Sequence, residues 1–384
     1  MSSPSLELCP GRMIGPEHPV FIIAEIGQNH QGDINIAKQM ISAAARAGAD
    51  CVKFQKSSLR HKFNTAALER EYRGEHSWGS TYGEHKRHLE FSEEEFRELQ
   101  RHAAQEEVFF TASAMDLVSA EFLRSISVPF IKIGSGDSNN LPLLTRVSGY
   151  GVPLVVSTGM SDLGWVRTMV STVTTDQLVL LQCTSSYPCS ARDTCLGVLD
   201  TFRQEFPRTC LGYSGHETGI AISVAVAARG ARVVERHVTL DKSWKGSDHK
   251  CSLDMKELAT MVHLIKNNTT FIMLKEVFTK EEMEDVKEAL EVSEKKVLES
   301  EQSCIAKLGK TIVAARQISK NSVISGDDVI VKVAEPRGIN PKCVDHYLGK
   351  IAACDIEEDQ SIVASMVTCL QLEITQNIDN EGEN

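Results

Sequence analysis

The chain has 384 residues, 42% hydrophobic and 24% charged, a composition that excludes both intrinsic disorder and a membrane-embedded protein. Its 41 Lys and Arg against 52 Asp and Glu give a formal net charge of −11, which argues against nucleic acid or an anionic membrane as partner. An anionic small molecule stays open, because a few local cations decide that.

From residue 20 onward, short apolar runs alternate with amphipathic segments. Strands are predicted at 20–24 (VFIIA), 51–55 (CVKFQ), 108–112 (VFFTA), 129–133 (PFIKI), 153–157 (PLVVS), 178–183 (LVLLQC), 210–214 (CLGYS) and 232–239 (RVVERHVT). Helices are predicted over 34–48, 92–106, 117–126, 140–149, 161–174, 193–205, 217–229 and 254–275. Strict alternation implies a parallel sheet, and eight such units in about 260 residues fit a (β/α)8 TIM barrel over 1–275. The competing doubly wound sheet lacks a G-x-G-x-x-G after its first strand. Segment 56–91 is a long insertion after the second strand. Its HSWGSTYGEHKRHLEFS is rich in His, cations and aromatics, which favours a functional loop.

Residues 276–301 read as a solvated, charged helix within a tether of 276–303. Beyond it, GKTIVAARQISKNSVIS (309–325) parallels GKIAACDIEEDQSIVAS (349–365), which predicts a small β-rich module over 304–370. The polar tail 371–384 is expected to be disordered. The 11 cysteines are scattered with no C-x-x-C pair, and several lie in apolar runs (Cys51, Cys183, Cys210), so they read as small reduced hydrophobes. The N-terminus has no apolar signal core, and no apolar run reaches the ~18 residues of a membrane span; the expected location is cytoplasmic.

The predicted strands carry polar residues near their C-terminal ends: Glu25; Lys53 and Gln55; Thr111 and Ser113; Lys132, Ser135 and Asp137; Ser157; Thr184; Ser214 and His216; Glu235, His237 and Thr239. Barrel enzymes place their active site at that end. Strand side chains alternate faces, so Lys53 and Gln55 share one face, as do Glu235, His237 and Thr239. A lysine inside an apolar strand is costly to bury without an anion. Two of them at one mouth point to a bound phosphate or carboxylate; the alternative is a structural bridge to a buried Glu or Asp. IGSGD (133–137), STGM (157–160) and YSGHE (213–217) add small hydroxyl residues and glycines just past strands, a pattern that favours phosphate. His216 and His237 end adjacent strands and could share a divalent ion completed by water and substrate. Asp248, in WKGSDH, could orient a hydroxylated substrate or cap a turn.

Six motifs in order, AEIGQNHQGD (24–33), GADCVKFQ (48–55), FIKIGSGD (130–137), QCTSSYP (182–188), GYSGHETG (212–219) and ERHVTLDKSWKGSDH (235–249), resemble the sialic acid synthases. The C-terminal module resembles the antifreeze-like SAF domain of that family, and HSWGSTYGEHKRHLEFS resembles its animal branch. The resemblance implies condensation of phosphoenolpyruvate with N-acetylmannosamine 6-phosphate and water, giving a nine-carbon 2-keto acid phosphate and inorganic phosphate, with Mn²⁺ or Mg²⁺ as cofactor. Variants use mannose 6-phosphate or the unphosphorylated sugar. A catalytically silent carbohydrate-binding scaffold would have lost the polar strand ends, which are intact.

Carried over by motif, His216 and His237 would bind the metal. Lys53, Lys132, Ser135, Ser157 and Ser214 would hold phosphoenolpyruvate, with Thr111 nearby. Glu25, Gln55, Tyr187 and Asp248 would contact the sugar, and Asp137 would serve as general base. Lys86 and Arg87 are candidates for the sugar phosphate. The family further implies a domain-swapped homodimer in which an arginine of the partner's small domain reaches the sugar; Arg337 is the nearest candidate here.

Overall fold

The computed structural model describes residues 4–368, so the tail assigned to 371–384 lies outside the described residues. Eight parallel strands form the predicted barrel: β1 (Phe21–Gly27), β2 (Cys51–Lys56), β3 (Phe109–Ala114), β4 (Ile131–Ile133), β5 (Leu154–Ser157), β6 (Leu178–Cys183), β7 (Cys210–Gly215) and β8 (Val233–Thr239). Each pairs with the next, and β8 pairs with both β7 and β1, which closes the sheet.

Eight helices cover the barrel: α1 (Ile34–Arg46), α2 (Glu93–Gln105), α3 (Leu117–Ser125), α4 (Leu141–Ser148), α5 (Leu163–Thr172), α6 (Val198–Glu205), α7 (Ala221–Ala228) and α8 (Met255–Lys266). Side-chain caps start most of them. Asp33, Asp116, Asn140 and Asp162 accept from first-turn amides, while Ser92 with Glu95 and Asp254 with Glu257 form capping boxes. The cap at Asp254 ends a short pairing of Leu253–Asp254 with β8. Predicted helices 193–205 and 254–275 are shorter than expected. The first begins at Val198 after a 3-10 turn at Arg192–Thr194, and the second stops at Lys266.

Strand parity divides the barrel interior into two zones. Phe21, Ile23, Cys51, Phe130, Val155, Val179, Leu181, Cys210 and Val233 fill its N-terminal half, under a short hairpin (Leu6–Cys9, Arg12–Ile14) whose Leu6, Leu8 and Ile14 join the same cluster. Two residues further along the same faces stand Glu25, Lys53, Lys132, Ser157, Cys183 and Glu235, with Ser214 four residues past Cys210. The apolar plug thus fixes the depth at which charge begins. On the outer face a larger apolar cluster joins sheet and helices, with Ala37, Met40, Ile41 and Ala44 of α1 at helical spacing.

The insertion folds into short helices at Leu59–Lys62, Thr65–Glu69 and Tyr82–Leu89. The tether differs from the solvated helix read from sequence. Helix α9 (Lys280–Glu291) buries Val286 and Ala289 in the barrel's outer core, and Leu196 donates its backbone N–H to Ala289 O at 2.7 Å. The chain then runs inward. Lys295 is buried with its Nζ 3.0 Å from Cys183 O, and Glu301 Oε1 accepts from the Met160 and Ser185 amides at 2.7 and 2.9 Å. Helix α10 (Gln302–Leu308) follows and crosses the barrel mouth.

In the small module, β9 (Thr311–Ala314) pairs antiparallel with β10 (Val329–Lys332), and Ile351–Ala352 pairs with Val367–Thr368. The two quasi-repeats interlock: Ile318 and Ile356 exchange backbone hydrogen bonds at 2.9 Å, and the left-handed turn residues Asn321 (φ 69°) and Asp359 (φ 66°) occupy matching positions. The module packs on the insertion. Val333 N–H donates to Lys62 O at 2.8 Å, Asn64 Nδ2 donates to Glu335 O at 3.0 Å, and Phe63 and Tyr82 pack with Val333. Among the described residues no helix is long and apolar enough to cross a membrane.

Gly197 marks where the tether docks. A Cβ there would lie 2.7 Å from Val292 O and 2.8 Å from Leu290 O, closer than real side chains approach backbone oxygen. At a helix start, alanine would otherwise be nearly neutral. Gly197→Ala should therefore lower stability in urea unfolding by about 1–3 kcal/mol, the usual cost of overpacking, and expose 280–300 to protease. Unchanged stability and cleavage would show that the tether does not need this contact.

Candidate active site

At the C-terminal end of the strands lies a cavity of about 320 Å³, walled by the barrel, the insertion and α10. Six lysines and four carboxylates line it, a cationic mouth on an acidic chain. Of the catalytic, substrate and metal candidates expected from sequence, all line it except Thr111, Arg337 and Arg87. Thr111 is buried one layer below, where its Oγ donates to Phe130 O at 2.7 Å. Arg337 packs against Gly309 in the small module of the same chain and does not reach the cavity. Of the two phosphate candidates, Lys86 lines the cavity, whereas Arg87 is exposed on the outer side of its helix.

Two lysines and two glutamates form the floor. Lys53 Nζ lies 2.6 Å from Glu25 Oε2 and 3.6 Å from Glu235 Oε1, and donates to Ser113 Oγ at 2.9 Å. Lys132 Nζ donates to Ser157 Oγ at 2.8 Å and lies 3.6 Å from the same Glu235 oxygen. Parallel register sets these contacts, since Glu25 aligns with Lys53, Ser113 with Lys132 and Ser214 with Glu235. Both readings of the buried lysines therefore meet here. Each faces a carboxylate, but Glu235 is shared by two cations, and its Oε2 has no hydrogen-bond partner.

Burial opposes charge on each of these groups, and the neighbours decide the outcome. Burial raises the Glu25 carboxyl, and Lys53 only partly offsets it. Burial would also raise Glu235, but Lys132 and Lys53 together pull it down to about 2. Lys53 is held above its usual value because Glu235 and Glu25 outweigh its burial, whereas burial leaves Lys132 depressed. Apolar residues of similar volume would hold a barrel as well as such a cluster. Its chemistry fits recognition of an anion that carries both carboxylate and phosphate.

Small residues surround the floor. Ser135 Oγ accepts from the Gly159 amide at 3.0 Å, and a Cβ at Gly159 would sit 2.3 Å from Ser185 Oγ, so only glycine leaves this cradle open. Beside Ser135 in the same 3-10 turn, Asp137 is buried against Lys310, whose Nζ is 2.8 Å from Oδ1. Burial raises the Asp137 carboxyl, and Lys310 opposes it. Gln55 Nε2 donates to Glu25 Oε1 at 3.1 Å. Asp248, on the loop after β8, is held below the usual carboxylate range: burial opposes this, but His237 and nearby lysines outweigh it.

His216 and His237 stand side by side, ring centroids 5.5 Å apart, with the Tyr187 ring 4.0 Å from that of His216. His216 Nδ1 is 2.8 Å from Thr184 O, which fixes Nδ1 as the protonated nitrogen and leaves Nε2 with its lone pair. His237 is buried with no partner for Nδ1, and burial lowers it to about 4, so it is neutral at pH 7. Among the described residues no third His, Cys, Asp or Glu completes a cluster. Two imidazole nitrogens, one of them unpartnered, fit a divalent ion whose other positions go to water and substrate.

Sequence reasoning missed Lys62, Lys307 and Lys310, which line the cavity from the insertion and from the end of the tether. It also placed Cys183 in the core, whereas its thiol borders the cavity and accepts from Ser135 Oγ at 3.4 Å. Only the strand-end position of Cys183 carried a signal.

Comparison with known proteins agrees with this geometry. The NeuB family signature matches residues 40–276, and the SAF domain signature matches 309–368. The chain is 48% identical to human N-acetylneuraminate-9-phosphate synthase over 94% of its length and 96% of that protein. It is 46% identical to the Drosophila melanogaster protein of the same name, over 91% and 96%. The crystal structure of the Bacillus subtilis spore coat polysaccharide biosynthesis protein SpsE superposes with a TM-score of 0.77 at 28% identity, covering 95% of this chain and 99% of that one. The N-acetylneuraminic acid synthetase of Leptospira borgpetersenii, solved with citrate, gives a TM-score of 0.62 at 30% identity over 79% and 96%. Matched by the NeuB signature over more than half of its length and 48% identical to a synthase over 94% of it, the chain belongs to the NeuB family.

Proposed function

We propose that the protein is a sialic acid synthase that condenses phosphoenolpyruvate with N-acetylmannosamine 6-phosphate and water to give N-acetylneuraminate 9-phosphate and inorganic phosphate. The observation that carries this reading is the pairing of Lys53 and Lys132 over shared carboxylates at the floor of a barrel 48% identical to a synthase of that name.

Phosphoenolpyruvate would lie on the floor, its carboxylate and phosphate answered by Lys53, Lys132 and the hydroxyls of Ser135, Ser157 and Ser214. The open-chain sugar would lie above it between Glu25, Gln55, Tyr187 and Asp248. Bound by His216 and His237, Mn²⁺ or Mg²⁺ would supply Lewis-acid polarisation of the aldehyde oxygen. C3 of phosphoenolpyruvate then attacks the aldehyde carbon, and the C–C bond leaves positive charge at C2, where Glu235 and Glu25 face it. Water adds to C2 and gives its proton to Asp137, which Lys310 favours in the ionised form. The aldehyde oxygen, an alkoxide once the C–C bond forms, takes up a proton that the one given to Asp137 balances. The C2–O bond to phosphate then breaks with its electron pair, and phosphate departs with the proton of the C2 hydroxyl, leaving the 2-keto acid.

This reading includes a cytoplasmic location, which the seven buried free cysteines among the described residues fit. It also includes a homodimer. Exchange of small modules would make the joint between 62–65 and 333–335 across two chains rather than within one.

Purified protein with phosphoenolpyruvate and Mn²⁺ should release phosphate when given N-acetylmannosamine 6-phosphate. No turnover with that sugar, the free sugar, mannose or mannose 6-phosphate would refute the synthase reading. Lys132→Met should lower kcat/KM for phosphoenolpyruvate by about 10²–10³-fold, the usual loss of one preorganised charged donor; wild-type kinetics would remove Lys132 from the site. In His237→Ala, Mn²⁺ affinity measured by calorimetry should fall by more than the ~10–100-fold seen when outer-sphere partners are lost. Unchanged affinity would place the metal elsewhere. Specific activity that falls on dilution is the expected mark of module exchange, and a constant value rejects it.

A further inference from the structure

The cavity has a second cationic region, at its rim rather than its floor. Three lysines there have no carboxylate within ion-pair distance among the described residues: Lys62, Lys86 and Lys307. Lys86 is buried and donates only to Gln28 Oε1, a neutral acceptor, at 2.8 Å. Lys62 is buried as well; its Nζ lies 2.7 Å from the Met115 sulfur and 5.1 Å from the centre of the Phe63 ring, both uncharged. Lys307 comes from α10, half-buried, on the far wall of the same rim.

A smaller polar side chamber opens here, sharing Gln28, Lys86, Asp248 and Lys307 with the main cavity and backed by Trp78 and His85. None of the nearby acids forms an ion pair with these cations: Glu90 is committed to Lys56 at 2.7 Å and to Ser57, and Asp248 is shared at longer range among His237, Lys307 and Lys86. Burial lowers both Lys62 and Lys86 to about 8, and Lys86 and Lys307 respectively add repulsion to that burial. Clustered ammonium groups with no carboxylate in ion-pair contact are costly to bury unless an anion is meant to join them.

We propose that Lys62, Lys86 and Lys307 form the site for the terminal phosphate of the sugar substrate, with Lys86 at its centre and Gln28 orienting it. The proposal rests on the synthase reading above and says which residues set the preference for a phosphorylated sugar. The floor lysines receive the phosphate that leaves, and the rim lysines hold the phosphate that stays. An extended open-chain sugar whose aldehyde faces His216 and His237 would direct its far end toward this rim, past Asp248. The site also explains why α10 is delivered to the mouth: Lys307 closes a chamber that the barrel and insertion leave open.

The test compares Lys86→Met and Lys307→Gln with the native protein on N-acetylmannosamine 6-phosphate and on the free sugar. Each variant should lose about 10–100-fold in the ratio of kcat/KM values, phosphorylated over free, the usual scale for one charge-assisted contact. KM for phosphoenolpyruvate serves to separate the rim from the floor. A ratio unchanged in both variants overturns the proposal. Calorimetry with N-acetylmannosamine 6-phosphate alone, without phosphoenolpyruvate, keeps the proposal testable even if turnover fails. Affinity that falls at least about tenfold in both variants supports the site, and equal affinity in native and variant protein rejects it. Absence of turnover in the native protein, with binding intact, counts against the synthase reading and not against the rim. Lys307→Gln changes a half-buried side chain and should fold in any case.

Discussion

Everything at the mouth of this barrel depends on Lys53 standing between Glu25 and Glu235. The contact joins β1, β2 and β8 across the seam where the sheet closes, and Glu235 extends it to Lys132 on β4. Each of these four buried ionisable groups is shifted by an oppositely charged partner among the others, against the effect of its burial. Below them the plug of Phe21, Ile23, Cys51 and Val233 excludes water, so the field of the two lysines is directed outward to the cavity. The acidic balance of the chain as a whole says nothing about this local field. It is set by which side chains the strand parity turns inward, and at which depth.

That parity was legible in the sequence. All eight strands lie within about three residues of the positions expected from apolar runs, because a buried parallel strand must be apolar on both faces and the polar exceptions stand out. Glu25, Lys53, Lys132, Glu235 and His237 are such exceptions, and each faces the cavity. What could not be read is anything brought to the mouth from elsewhere. Lys62, Lys307 and Lys310 sit in segments whose local pattern is ordinary; the last two reach the mouth by the tether's path past Gly197, and Lys62 by the insertion's joint with the small module, both tertiary contacts. One part of that path did leave a trace: Met283, Val286 and Ala289 recur every three residues on a helix otherwise read as solvated. Arg337 shows the reverse case, since nearness to a motif in sequence did not carry it to the cavity.

The tether and the insertion have a common task. Each is anchored by backbone hydrogen bonds that need no particular side chain, Leu196 to Ala289 on one side and Val333 to Lys62 on the other. Each then presents lysines at the rim. The barrel supplies rigid floor chemistry from strand ends, and later or longer segments add recognition on top of it, where loops tolerate change. A relative could retain the floor and alter the rim without disturbing the fold.

The ion pair between Lys310 and Asp137 makes the small module an electrical component of the barrel. Lys310 is the residue just before β9, and its charge opposes the burial that raises the Asp137 carboxyl. A barrel cut loose from its module would therefore differ from the intact chain in acidity as well as in shape. Without Lys310, the buried Asp137 carboxyl would be raised further than it is in the complete molecule. The module's position is in that sense written into the proton inventory of a residue on a different domain.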